Sequence, residues 1–184
     1  MARTYEEMDA IAMLKADHRK VEEIFAAFEK ATTKSKKQAL AEQACLELKV
    51  HTVLEEEVFY PACKGQIEED LLKEAYVEHD SAKQLINEIE AGGPEDDFYD
   101  AKVKVLAEMI EHHVKEEEMR SEGMFSQARD AGLDMDALAD AMRARKATAM
   151  EEFQAGKPAE PLTLRENHGG EEPSLDAVTR TPAA

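Results

Sequence analysis

At 184 residues, 43% hydrophobic and 35% charged, with no Trp and nine Met, the chain is long enough for one domain with a real core and has the profile of a helical protein with a solvated surface. A net charge of −18 sets it against nucleic acid and anionic membranes as partners. The two cysteines, Cys45 and Cys63, exclude a disulfide framework, and their places near the two ends of one predicted helix point to reduced thiols in the cytoplasm.

Periodicity predicts the first helix over residues 5–30, where Met8, Ile11, Leu14, His18, Val21, Phe25 and Phe28 recur at helical spacing. Residues 31–36 break it, and Ser35 is placed to cap the next. The second helix, 36–60, carries Leu40, Ala44, Leu48, His51, Glu55 and Val58 on one stripe until Pro61 and Gly65 end it. A third spans 68–90 with Leu72, Ala75, His79, Ala82 and Ile86 facing inward, and Ala91-Gly-Gly-Pro94 stops it. The fourth, 96–120, turns Leu106, Ile110, His113 and Glu117 inward; Gly123 interrupts it before a short helical piece over 124–129. Residues 134–153 read as a fifth helix, with Leu138, Met142 and Met150 as inward contacts. Past Gly156 the chain is rich in Pro, Gly and charge, so 157–184 is expected to be a disordered tail, with His168 remote from any buried site. The domain organisation expected is a bundle over 1–130, an added helix over 131–156 packed on it, and the tail. No apolar signal core and no run of membrane-spanning length is present.

Two helical hairpins repeat one polar pattern. His18 is followed 33 residues later by His51-Thr-Val-Leu-Glu55, and His79 is followed 34 residues later by His113-Val-Lys-Glu-Glu117. Positions i and i+4 share a helix face, so each pair aims an imidazole and a carboxylate at one point. All six side chains fall on the apolar stripes of their helices, where a polar group is costly unless it is paired or bound to a metal. Imidazole and carboxylate without thiolate suit Fe, Mn or Zn, and six converging groups fit two ions better than a closed four-ligand zinc site. His112 is rotated about 100° from His113 and away from that face. Asp17, Glu78 and Asp80 read as surface charges or as acceptors orienting an imidazole, while Glu56, Glu116 and Glu118 are expected to face solvent. No phosphate-binding loop, nucleophile elbow or Cys-His arrangement competes.

Asp17-His18-Arg19-Lys20-Val21, His51 through Pro61, Glu78-His79-Asp80 and His113 through Glu118 together resemble the hemerythrin-like HHE cation-binding family over residues 8–130. The resemblance implies an all-α, up-down-up-down four-helix bundle around an oxo- or hydroxo-bridged iron pair. His18, His51, His79 and His113 would then be terminal ligands, and Glu55 and Glu117 would bridge; Mn or Zn is the less favoured filling. It further implies a protein that meets dioxygen, peroxide or nitric oxide in binding, sensing or protection. A di-iron enzyme turning over peroxide or nitric oxide, and an iron storage or delivery protein, are the alternatives. Hemerythrins proper carry a fifth histidine four residues from the third-helix ligand, where this chain has Ala75 and Lys83; Tyr76 or water is expected to fill the gap. Four histidines and two bridging carboxylates supply about eight of about twelve positions on two octahedral ions, and a shared hydroxide about two more, so roughly two stay open.

Overall fold

The computed structural model describes residues 4–163, and among these there are helices and no strand. Four long helices form the bundle: α1 (Ala10–Lys30), α2 (Lys34–Leu54), α4 (Glu69–Gly92) and α5 (Tyr99–Glu118). A π-helical turn (Glu55–Phe59) and a short α3 (Tyr60–Cys63) extend α2, while α6 (Met124–Asp130) and α7 (Met135–Gln154) follow the bundle. Capping chemistry sets the starts. Asp9 accepts the Ala12 N–H at 2.8 Å ahead of α1, and Asp134 accepts the Ala137 N–H at 3.0 Å ahead of α7. Thr33, not Ser35, caps α2, its hydroxyl accepting from the Lys36 N–H at 3.3 Å. Thr33 has the extended backbone a cap requires, while Ser35 already lies inside the first turn.

Short connections make α1/α2 and α4/α5 antiparallel hairpins, the second turning at Gly93, whose φ of +64° suits a residue without Cβ. Each helix packs on two others, α1 on α2 and α5, and α4 on α2 and α5, which closes the up-down-up-down ring. Apolar packing divides into two clusters. One holds Ile11, Leu14, Leu54, Phe59, Tyr60, Leu72, Tyr76, Met124 and Phe125, and the other Val21, Phe25, Phe28, Leu48, Ile86, Leu106, Ile110 and Val114. On α1, α2 and α4 the candidate ligand sits at the border between them, as His18 does between Leu14 and Val21, His51 between Leu48 and Leu54, and His79 between Tyr76 and Ala82. A polar layer therefore crosses the middle of an otherwise apolar interior.

Helix α7 packs on α1 and α2, burying Ala149 and Phe153 against Val50, and its Lys146 reaches Asp17 of α1 at 2.7 Å. Helix α6 brings Met124 and Phe125 into the first cluster after a tight turn at Gly123. A Cβ there would lie 2.5 Å from the Met119 carbonyl oxygen. The expected disorder from residue 157 is corrected for 157–163, which lie along α4 with Ala159 buried and hydrogen-bonded to Asn87. Composition registers the missing periodicity of that stretch but not the partners another helix offers it. The rest of the expected tail, with His168, lies outside the described residues. No helix among the described residues is long and apolar enough to cross a membrane.

Candidate metal centre

The histidine and glutamate side chains of the two hairpins meet in the polar layer. His18 Nε2 lies 3.0 Å from His51 Nε2, and His79 Nε2 lies 3.1 Å from His113 Nε2, so each hairpin contributes one imidazole pair. The carboxylates cross between the pairs. Glu55 Oε2 stands 3.1 Å from His51 Nε2 and 3.2 Å from His79 Nε2. Glu117 Oε2 stands 3.3 Å from His18 Nε2 and 3.6 Å from His113 Nε2. Each carboxylate thus reaches one imidazole of each hairpin, as a ligand shared by two ions must. All six residues are buried.

The far side of the rings explains which nitrogen faces in. His18 Nδ1 donates to Glu118 at 2.9 Å, His79 Nδ1 to Glu56 at 3.0 Å and His113 Nδ1 to Glu78 at 2.7 Å. A carboxylate only accepts, so the proton sits on Nδ1 and the lone pair of a neutral ring is on Nε2, aimed at the centre. His51 is held more loosely, with Asp17 Oδ2 3.9 Å from its Nδ1, too long for a hydrogen bond but close enough for attraction between charges. Asp17 is itself held by Lys146 and by the Tyr5 hydroxyl at 3.3 Å. Phe125 stacks on the His18 ring at 5.8 Å between centroids, closing that side. Glu56 and Glu118, expected to face solvent, are drawn inward by these imidazoles. Asp80 is buried, not at the surface, and accepts from residues 162 and 163. His112 stays at the surface, 3.6 Å from Glu78 and 3.3 Å from Glu116.

Electrostatics mark the layer as a cation site. Burial works to lower the His51 and His79 pKa values, but Glu55, with Asp17 for His51 and Glu56 for His79, outweighs it and holds them at about 10 and about 9. Burial likewise raises the Glu55 carboxyl, yet His51 and His79 hold it well below the usual carboxylate range. Without a metal, protons on the imidazoles balance the two carboxylates. Four buried polar atoms in the layer nevertheless have no hydrogen-bond partner: both Glu55 oxygens, Glu117 Oε2 and His51 Nδ1. A metal ion is the group that satisfies converging carboxylate oxygens and imidazole lone pairs together. Within 4.8 Å of one another lie His18, His51, Glu55 and Glu117 as one set, and Glu55, His79 and His113 as a second. Glu55 belongs to both sets.

Residues 9–125 match the hemerythrin HHE cation binding domain. The chain belongs to the hemerythrin HHE family. Its fold is shared with the crystal structure of an HHE cation binding domain-containing protein from Mycobacterium kansasii, at a TM-score of 0.66 and 19% identity, covering 80% of this chain and 91% of that one. A curated relative from Nostoc sp., named DNA nickase, is 29% identical over 113 residues, which is 61% of this chain and 32% of that protein. This HHE chain therefore spans about a third of the length of that relative.

Sequence reasoning missed Tyr60. Its buried hydroxyl donates to Glu117 Oε1 at 3.0 Å and lies 3.2 Å from His79 Nε2. Tyr76, which with water was the candidate for the fifth-histidine gap, is buried against the Tyr60 ring at 5.2 Å, and its hydroxyl has no hydrogen-bond partner. Tyr60 is five residues beyond Glu55, a spacing that an α-helix rotates by about 500°, off the ligand face. The π turn over Glu55–Phe59 changes that, because the Tyr60 N–H bonds the Glu55 carbonyl at i→i+5 and brings Tyr60 back over Glu55. Three consecutive glutamates before Val58 gave no hint of this turn. Only the proximity of Tyr60 to Glu55 along the chain was available as a signal.

Proposed function

We propose that this HHE bundle holds a bridged pair of iron ions through His18, His51, His79, His113, Glu55 and Glu117, and that the pair binds or senses dioxygen, nitric oxide or peroxide in the cytoplasm. The observation that carries this reading is the crossing of the carboxylates, each standing between imidazoles of different hairpins. Bound there, two redox-active ions supply coordination positions and electrons to a small ligand. The protein's own groups do the rest. Glu118, Glu56 and Glu78 orient three imidazoles. Tyr60 keeps its proton, since burial and the neighbouring carboxylates raise its pKa well above the usual phenol value, and so offers an O–H beside Glu117 and His79.

Selectivity follows from the walls. Val21, Leu48, Ile110 and Val114 line the space beside the histidines, which has room for about one water-sized molecule. The donor set also has fewer anions than the four carboxylates and two histidines of ferritin-like centres, which disfavours highly oxidised iron and favours binding over oxidative turnover.

Elemental analysis of anaerobically purified protein, followed by optical spectra on adding oxygen, tests the proposal. Two irons per chain and a reversible charge-transfer band are expected. Steady consumption of peroxide or nitric oxide would turn the reading to an enzyme, and release of iron to an acceptor would turn it to storage or delivery. A protein that purifies without metal, and melts alike with and without iron, would sink it. DNA nicking is not carried over from the Nostoc relative. The match covers about a third of that protein, and a net charge of −18 repels a phosphate backbone.

A further inference from the structure

Residues 157–163 lie outside the four ligand-bearing helices, yet they close a chain of buried charges that begins at His79. Glu56 accepts from His79 Nδ1 at 3.0 Å and takes Lys83 Nζ on both of its oxygens at 2.7 Å. Lys83, itself buried, lies 3.5 Å from Asp80 Oδ1. Asp80 is 0% exposed and accepts the Leu162 N–H at 2.7 Å, the Thr163 hydroxyl at 2.6 Å and the Thr163 N–H. Two turns further along α4, Asn87 grips the same segment in both directions. Its amide nitrogen donates to the Ala159 carbonyl at 2.7 Å, and its oxygen accepts the Ala159 N–H at 3.2 Å.

Glu56 and Asp80 are buried carboxylates that share Lys83, and a buried carboxylate is costly unless its oxygens are hydrogen-bonded. The donors from residues 162 and 163 converge on Asp80 and satisfy its oxygens. That leaves Lys83 free to sit squarely on Glu56, and Glu56 to hold the His79 ring. When the segment lifts away, water reaches Asp80, Lys83 is no longer confined between the two carboxylates, and the grip on His79 slackens.

We propose that residues 157–163 act as a strap that positions His79 through Asp80, Lys83 and Glu56, so that strap docking and cation binding at the centre reinforce one another. This rests on the metal-centre reading above. Asp80 and Lys83 are positioning residues and touch no ion. The coupling is reciprocal: a cation on His79 Nε2 keeps Nδ1–H directed at Glu56 and favours the docked strap, and the docked strap favours the cation by the same factor.

Cobalt(II) on the 184-residue chain is the probe. Asn87 lies about 12 Å along α4 from His79, so Asn87→Ala loosens the strap without altering the centre directly. Cobalt dissociation from that variant is expected to be about fivefold faster or more, with a shifted d–d band. In the unaltered protein, the amides of residues 159, 162 and 163 should exchange more slowly with cobalt than without. Ala159→Glu, which forces a charge into the strap's buried contact while leaving every helix as it is, should reproduce the effect. Thr33→Ala removes the α2 cap remote from the strap and serves as the control for general loosening. Equal dissociation from unaltered and strap-loosened proteins, or equal acceleration by Thr33→Ala, overturns the proposal. Failure of the unaltered chain to bind cobalt removes the metal reading along with it, whereas tight binding indifferent to both strap substitutions removes the strap alone.

Discussion

Tyr60 and Tyr76 are both buried, in the same apolar cluster and in contact with each other, yet only one hydroxyl reaches the polar layer. Replacing Tyr60 with Phe leaves the ring packing but takes the donor from Glu117 Oε1. A buried acceptor left without its partner costs about 1–3 kcal/mol, so Tyr60→Phe is expected to lower the melting temperature of the metal-free protein and to change the optical spectrum of the iron-loaded one. Tyr76→Phe removes a buried hydroxyl that makes no hydrogen bond, and should leave the spectrum unchanged and the melting temperature no lower. A spectrum that responds to Tyr76 and ignores Tyr60 would restore Tyr76 to the gap left by the missing histidine.

The π turn over Glu55–Phe59 is the element that decides which side chains share a face. Above it, His51 and Glu55 keep the ordinary i, i+4 relation; below it, Tyr60 is brought round to the same side. Glu57 is exposed and pairs with Arg145 of α7, so deleting it removes one residue of the turn at little cost in packing. The shortened segment should relax to a plain α-helix and rotate Tyr60 by about 100° away from Glu117. Circular dichroism should show the helix content kept, while the iron-loaded spectrum takes on the character of Tyr60→Phe. An unchanged spectrum would mean that the turn does not place the hydroxyl.

Over the whole molecule, an acidic exterior surrounds an interior layer built to hold positive charge. In the metal-free protein that charge is protons: His51 at about 10 and His79 at about 9 stand far above the usual histidine range because of Glu55, Asp17 and Glu56. Raised folded-state values stabilise the metal-free fold fully below the ordinary histidine pKa of about 6.5. This contribution is lost as pH rises through 9 and 10. Metal uptake expels the same protons, so apparent affinity should climb by about tenfold per pH unit for each proton displaced, up to that window. Melting temperatures from pH 6 to 10 check both statements. The metal-free curve should fall towards alkaline pH and the zinc-loaded curve should stay nearly flat, the gap between them widening. Parallel curves would show that protons and metal do not compete for the layer.

Much of this was legible along the chain, because it depends on neighbours three or four residues away. The helical spacing of Leu14, His18 and Val21, the breaks at Gly65 and at Gly92-Gly93-Pro94, and the His-x-x-x-Glu pairs at 51–55 and 113–117 are local patterns, and they sufficed for the bundle and for the six residues that converge; Pro61 does not end its helix, which continues to Cys63. What the tertiary structure alone decided involves partners far apart in sequence. Glu118 meets His18 across 100 residues, Lys146 meets Asp17 across 129, and residues 162 and 163 settle on Asp80 across more than 80. Asp17, Glu56, Glu78, Asp80 and Glu118 look alike as charges on a helix. Which of them turns inward depends on whether an imidazole or an ammonium group from another helix waits there, because only a buried partner of opposite polarity offsets the loss of water.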